Sequence, residues 1–294
     1  MIRNLMIRTA PGVFVLLWST GFIGSKFGVQ YAEPLTLLFW RMLLAAAFLG
    51  LMARMLGLPR LDAGLRRQQM LTGLMMHGCY LGGVFWSIRA GMPAGISSLI
   101  VGLQPILTVG LARLWLKERI SPIRLGGTLL GLLGVVLVLH PAWDGMDPEV
   151  VLGSAPTAVP GIMVALVGIS LGTVYQKHYG QAVNVVSGSF WQYVAATGCF
   201  LLMALLLEEG EVRWEWPLIA VLAWMVFGLS VGAVSLLLVL IRQGEASRVA
   251  SLFYLVPPMV ALESWLLFGE YLDGLQGVGM LLSLIGVAVV AKFP

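Results

Sequence analysis

His77, Tyr80, Gln104, Trp18, Phe22, Tyr175 and Tyr254 are side chains able to grip or titrate against a small molecule, and each lies in an apolar run. A polar group at membrane depth is costly unless it faces protein or a water-filled cavity, so each is a candidate for function. Gly73, His77, Tyr80 and Val84 are spaced to share one helical face. His77 can change charge near neutral pH, which fits a substrate contact or a proton relay. A histidine hydrogen-bonded to a neighbouring helix fits the same position. Ser97, Gln104 and Thr108 form a second stripe, and Pro105 frees a backbone carbonyl beside Gln104. That carbonyl and the side-chain amide could meet an amino or carboxyl group, or serve interhelical bonding alone. Trp18 and Phe22, one turn apart, and Tyr175 and Tyr254 offer rings for an apolar or aromatic substrate. Lys26 and Arg41 sit near the external ends of their segments, sharing an expected external vestibule where two cations could hold a carboxylate as it leaves. Snorkelling of Lys26 and pairing of Arg41 with Glu263 or lipid headgroups is the structural reading of the same charges.

These residues need elements to hold them, and composition says what those elements are. Of the 294 residues, 59% are hydrophobic and only 11% charged, with mean hydropathy +0.92. A soluble domain carries about 25% charged residues, so the solvent here must be largely lipid. Ten segments read as membrane-spanning helices: 11–30, 35–55, 69–88, 94–115, 123–139, 160–178, 186–207, 217–241, 248–268 and 273–292. The basic start Met1–Arg8 resembles a signal peptide, but no small-x-small site follows cleanly, so it is read as leading into an uncleaved first span. With both termini in the cytoplasm, 14 of the 18 Lys and Arg residues fall on that side. The basic residues form no contiguous patch, which argues against nucleic acid. Cys79 and Cys199 lie inside apolar segments with no metal or disulfide spacing, and no cofactor or metal is expected.

The second half of the chain repeats the first. At an offset of 152, twelve of the 45 positions from Ala94 to Val138 meet an identical residue, among them Pro105/Pro257, Glu118/Glu270 and Gly134/Gly286. Chance would give roughly five in such Leu- and Gly-rich segments. At an offset of 151, Ser19, Gly21, Lys26 and Phe39-Trp40 meet Ser170, Gly172, Lys177 and Phe190-Trp191, whereas Arg41 meets Gln192. A repeat of five spans must be inverted in the bilayer, an arrangement of secondary transporters. The expected fold is therefore all-α and integral to the membrane, with ten helices in two inverted five-helix repeats. Residues 1–140 form the first repeat, 141–160 an external linker rich in proline, and 161–294 the second. Gly126, Gly127, Gly131, Gly134, Gly277, Gly279 and Gly286 give spans five and ten small-residue faces, read as scaffold and as the contact for a homodimer.

Trp18-Ser-x-Gly-Phe22 followed by Lys26, then Pro34 and Arg41, resembles the start of an EamA-type repeat. The proline-bearing helix before Leu116-Lys117-Glu118-Arg119, and the Gly-rich helix after it, match the drug/metabolite transporter superfamily over essentially the whole chain, in two copies. The resemblance implies export of amino acids and other metabolites across the inner membrane, with no enzymatic activity. The aromatic candidates are similar to those of the YddG type of aromatic amino-acid exporter. Arg41/Gln192 departs from the repeat, so the two halves do not offer equivalent charges. The expected function is alternating-access export of amino acids with apolar or aromatic side chains. A proton-coupled exporter of cationic drugs is the alternative, for which Glu263 would be the embedded carboxylate. No Walker motif, H-E-x-x-H helix or paired acids at membrane depth appear in the sequence.

Overall fold

The computed structural model describes residues 2–92, 97, 100–140, 148–269 and 272–293, without the side chains of 2–8, 22, 26, 148–155 and 268. The elements are helices throughout, and the described residues contain no strand beyond a single bridge between Ala32 and Val212. A helix satisfies its backbone within one segment, which is what a chain this apolar requires in lipid. Six helices are long and apolar enough to cross a membrane: Pro34–Met55, Pro156–Tyr179, Val185–Leu207, Trp216–Gln243, Ala246–Leu267 and Gly274–Lys292. Thr9–Ser25 and Pro122–Val138 are shorter apolar helices where the sequence reading placed spans one and five. The expected span 69–88 is helical throughout. The start of 94–115, Glu270 and residues 141–147 of the expected linker lie outside the described residues.

One boundary differs clearly. The helix that opens the second repeat runs Pro148–Tyr179, so Pro148, Pro156 and Pro160, taken as loop markers, fall within it, while Pro141 lies outside the described residues. Pro148 opens the helix, where the missing N–H costs nothing. Pro156 and Pro160 are interior and leave the Leu152 and Pro156 carbonyls without their usual helical donors. Trp86 Nε1 donates to the Thr157 carbonyl at 3.0 Å and Ser87 Oγ to that of Ala158 at 2.8 Å.

The chain divides into two compact units. The first comprises Met1–Gly82 and Tyr175–Gln243. Within it the repeat-related helices Pro34–Met55 and Val185–Leu207 pack along one another. Leu37, Leu38, Met42 and Leu49 are buried from one, and Tyr193, Ala196 and Phe200 from the other. Pro34 starts its helix, and the Glu208 carboxylate caps it from the far end of the partner helix. It accepts from Leu35 N at 2.8 Å, Thr36 N at 2.7 Å and Thr36 Oγ1 at 2.9 Å. Two helices of this unit are interrupted by π turns, Leu74–Cys79 and Met225–Ala233. Their first residues are repeat mates, since 74 plus 151 is 225. Such turns recur at functional sites.

The second unit comprises Gly83–Val174 and Gly244–Pro294. Its spine is the helix pair Pro122–Val138 and Gly274–Lys292, again repeat mates. Ser121 caps the first by accepting from Arg124 N, and Asp273 caps the second by accepting from Gln276 N. Arg124 Nε reaches the Phe293 carbonyl at the end of the second helix, and Gln276 Nε2 reaches that of Val138 at the end of the first. Between these ends the backbones touch. A Cβ on Gly134 would lie 2.4 Å from Ser283 N, on Gly286 2.5 Å from Gly131 N, and on Gly279 2.7 Å from Gly134 O. Gly127 and Gly131 are as tightly bounded, by Val289 and the Tyr254 ring, whereas Gly126 and Gly277 face open space. The scaffold role expected of these glycines is thus met inside one chain. Five of the seven meet neighbours within the chain, and Gly126 and Gly277 meet none within 4 Å among the described residues.

Candidate functional site

A set of buried polar side chains gathers in the first unit. It starts from Gly73, where an added Cβ would lie 2.3 Å from the Gln192 carbonyl, so only glycine lets the helix Ala63–Gly73 press against Val185–Leu207. That approach brings Gln69, one turn earlier, onto Gln192. Gln192 Nε2 donates to Gln69 Oε1 at 2.9 Å and to Gln176 Oε1 at 3.3 Å. One turn after Gly73 comes His77, buried within the π turn. Its ring stacks on Tyr193 with centroids 4.8 Å apart and planes 19° from parallel. The Tyr193 hydroxyl donates to the Ser230 carbonyl at 2.8 Å, and Ser230 lies in the other π turn. Both atoms of Ser230 are employed, because its hydroxyl accepts from Arg41 Nε at 3.0 Å.

Arg41 gives this cluster its electrostatic character. It is half-buried, and its charge acts on His77, Tyr80 and Tyr193. Among the described residues no carboxylate pairs with it, and its terminal nitrogens donate no hydrogen bond. Within the first unit Arg41 is held by a serine tether on Nε. Among the described residues, His77 Nε2, Gln192 Oε1 and Ser189 Oγ are buried without a hydrogen-bond partner. Orphaned buried polar atoms are uncommon in folded proteins and call for an explanation. Together the cluster offers one cation, hydrogen-bond acceptors and a stacked ring. It can hold a small molecule bearing a negative group, and no cluster of metal-ligating residues occurs among the described residues.

The predicted site residues separate. Arg41, His77 and Tyr80 come together in the first unit, with Tyr80 half-buried. Trp18 belongs to the same unit, its ring 5.3 Å from Phe14. Tyr175 lies against Tyr179 at 4.5 Å. The side chains of Phe22 and Lys26 lie outside the described residues. Gln104 and Tyr254 belong to the second unit. Gln104 is buried, with Nε2 3.5 Å from Thr108 Oγ1, the stripe neighbour foreseen from spacing. Tyr254 packs among Val135 and Val287, its hydroxyl buried without a partner.

Gln69, Gln176, Tyr193 and Ser230 escaped the sequence reading. Gln69 and Gln176 fall at the edges of the expected spans 69–88 and 160–178, where polar residues pass for interfacial ones. Ser230 is a small residue in a long apolar run, unremarked until the π turn aims it. Gln192 did carry a signal, as the repeat mate of Arg41. The shared face assigned to Gly73, His77, Tyr80 and Val84 assumed an unbroken α-helix. The π turn Leu74–Cys79 has a different period, which offsets the residues after it.

A model of the EamA-like transporter family matches residues 13–140 and 157–292. A Salmonella typhimurium protein described as a "Probable amino-acid metabolite efflux pump" is 26% identical over 94% of this chain and 91% of its own length. A "Probable terminal-alkyne amino-acid exporter" of Streptantibioticus cattleyicolor is 24% identical over 95% of this chain and 91% of its own. A solved crystal structure superposes with a TM-score of 0.78 at 21% identity, covering 96% of this chain and 95% of that one.

Proposed function

The chain belongs to the EamA-like transporter family, and from that premise we propose that it exports amino acids with apolar or aromatic side chains. It is a multi-pass membrane protein that handles a small-molecule substrate; in bacteria such a protein resides in the inner membrane. Ten spans with both termini in the cytoplasm, arranged as repeats 1–140 and 161–294 about the connection 141–160, account for the distribution of cations and for the offset of 151 to 152 residues. Transport then follows from alternating access, the two inverted repeats exchanging roles about the substrate.

The observation that carries the substrate class is Arg41. A cation inside the polar cluster, tethered by Ser230 and paired with no acid among the described residues, attracts a carboxylate and repels a cationic drug. His77 and Tyr193 supply flat apolar surface beside it, suited to an aromatic or aliphatic side chain. Tyr80 completes this group; Trp18, Phe22 and Tyr175 in the first unit, and separately Gln104 and Tyr254 in the second, are assigned as substrate contacts. Lys26 is assigned to the external vestibule. The printed names of the Salmonella and Streptantibioticus relatives support an amino-acid exporter.

The test is flux in sealed liposomes with radiolabelled phenylalanine, methionine, threonine and glutamate and a quaternary ammonium dye, with and without a pH gradient. Phenylalanine and methionine are expected to move and the dye to stay. Dye flux without amino-acid flux would overturn the reading in favour of a drug exporter.

A further inference from the structure

Arg41 and Gln192 occupy equivalent positions of the two repeats, 151 residues apart, on helices that pack together. Both act on the buried ring of His77. They differ in what they offer. Arg41 spends Nε on Ser230 Oγ, and among the described residues both its terminal nitrogens are uncommitted, the planar fork that binds a carboxylate with two parallel hydrogen bonds. Gln192 spends its amide nitrogen on Gln69 and Gln176, and its oxygen, buried beside the His77 ring, makes no hydrogen bond of ordinary geometry among the described residues. His77 Nε2, likewise buried and unpartnered, lies in the same cluster. One repeat thus presents donors and the other an acceptor, in the cluster that also holds the His77–Tyr193 stack.

From this juxtaposition we infer that the two repeat-related residues read the two ends of a zwitterion: the Arg41 fork takes the α-carboxylate, and the Gln192 carbonyl takes the α-ammonium group. The inference rests on the amino-acid reading above and adds to it the atoms that recognise the substrate backbone. Ser230 is a positioning residue in this scheme, holding Nε so that the fork faces one way. Gln69 and Gln176 do the same for Gln192, since an amide whose nitrogen is bonded twice must turn its oxygen to the remaining side. The broken symmetry has a physical ground. Two arginines here would repel one another in a low-dielectric interior, and two glutamines would carry no charge to hold an anion.

Binding of three probes to the purified full-length protein separates the two contacts: phenylalanine, phenylalaninamide, which lacks the carboxylate, and 3-phenylpropanoate, which lacks the amine. The wild type is expected to bind phenylalanine at least about tenfold more tightly than either analogue. In Arg41→Gln the preference over phenylalaninamide should collapse to within about threefold while the preference over 3-phenylpropanoate persists. Gln192→Leu should do the reverse. Ser230→Ala keeps the charge but releases the fork, and should lower the carboxylate preference by about threefold, which also tests the scheme should Arg41→Gln not fold. Retention of both preferences in either of the first two variants, or equal wild-type affinity for phenylalanine and 3-phenylpropanoate, would overturn the inference and leave the amino-acid reading intact. Wild-type protein that binds none of the three would overturn the amino-acid reading itself.

Discussion

The helices Pro34–Met55 and Val185–Leu207 form a repeat-related pair in the first unit, as Pro122–Val138 and Gly274–Lys292 do in the second. In the second pair the two copies do the same work. Ser121 and Asp273 cap, Arg124 and Gln276 reach across to the opposite carbonyl, and Gly134 and Gly286 let the backbones meet. In the first pair equivalent positions have diverged: Arg41 against Gln192, and buried Met42 against buried Tyr193. Close backbone packing leaves room for one residue type, so both copies keep it. A site that binds an unsymmetrical molecule gains from difference, so the copies part.

The sharpest way to break the comparison is to crowd the symmetric pair. Gly134→Leu puts carbon within 2.4 Å of the Ser283 backbone and should cost about 3 kcal/mol or more, with most protein lost to aggregates on size exclusion. Gly126→Leu, into open space on the same helix, should leave the unfolding temperature in detergent unchanged; equal damage from both would deny that contact is what matters.

In the asymmetric pair, His77→Ala removes the ring stacked on Tyr193. Phenylalanine flux should fall about thirtyfold, equivalent to about 2 kcal/mol, with folded yield preserved. Full activity in that variant would take His77 out of the site. Glu208→Ala strips the cap from Leu35 and Thr36 and should lower stability by about 1–2 kcal/mol, read from thermal unfolding. The smallest effects concern the symmetric caps. Asp273→Ala loses a full capping box with Gln276 and should cost about 1 kcal/mol, Ser121→Ala somewhat less. The reverse order would mean the two ends are not equivalent in strength.

Much of this was readable before any coordinates. The glycine stripes, Gln104 beside Thr108 and the family resemblance each came from local spacing, and His77 stood out because a polar residue in an apolar run is expensive. Gln69 and Gln176 did not stand out. They lie near helix ends, where the same residue type is ordinary, and only packing shows them buried. The prolines at 156 and 160 pointed to a loop because a lone helix would suffer from them; the side chains that pack against this stretch and bond the Thr157 and Ala158 carbonyls, Trp86 and Ser87, lie about 70 residues away in the chain.

What the sequence determines by itself is whatever composition and period encode: an apolar chain, helices throughout, a duplicated unit, and the polar residues that must be accounted for. These depend on residues near one another along the chain or at a constant offset. Which polar residues meet was decided by tertiary structure. The π turns at 74–79 and 225–233 rotate His77 and Ser230 off the faces an α-helical period assigns them, and Gly73 sets how near Gln69 comes to Gln192. Both effects arise where separate helices press together, and no single helix carries enough information to fix them.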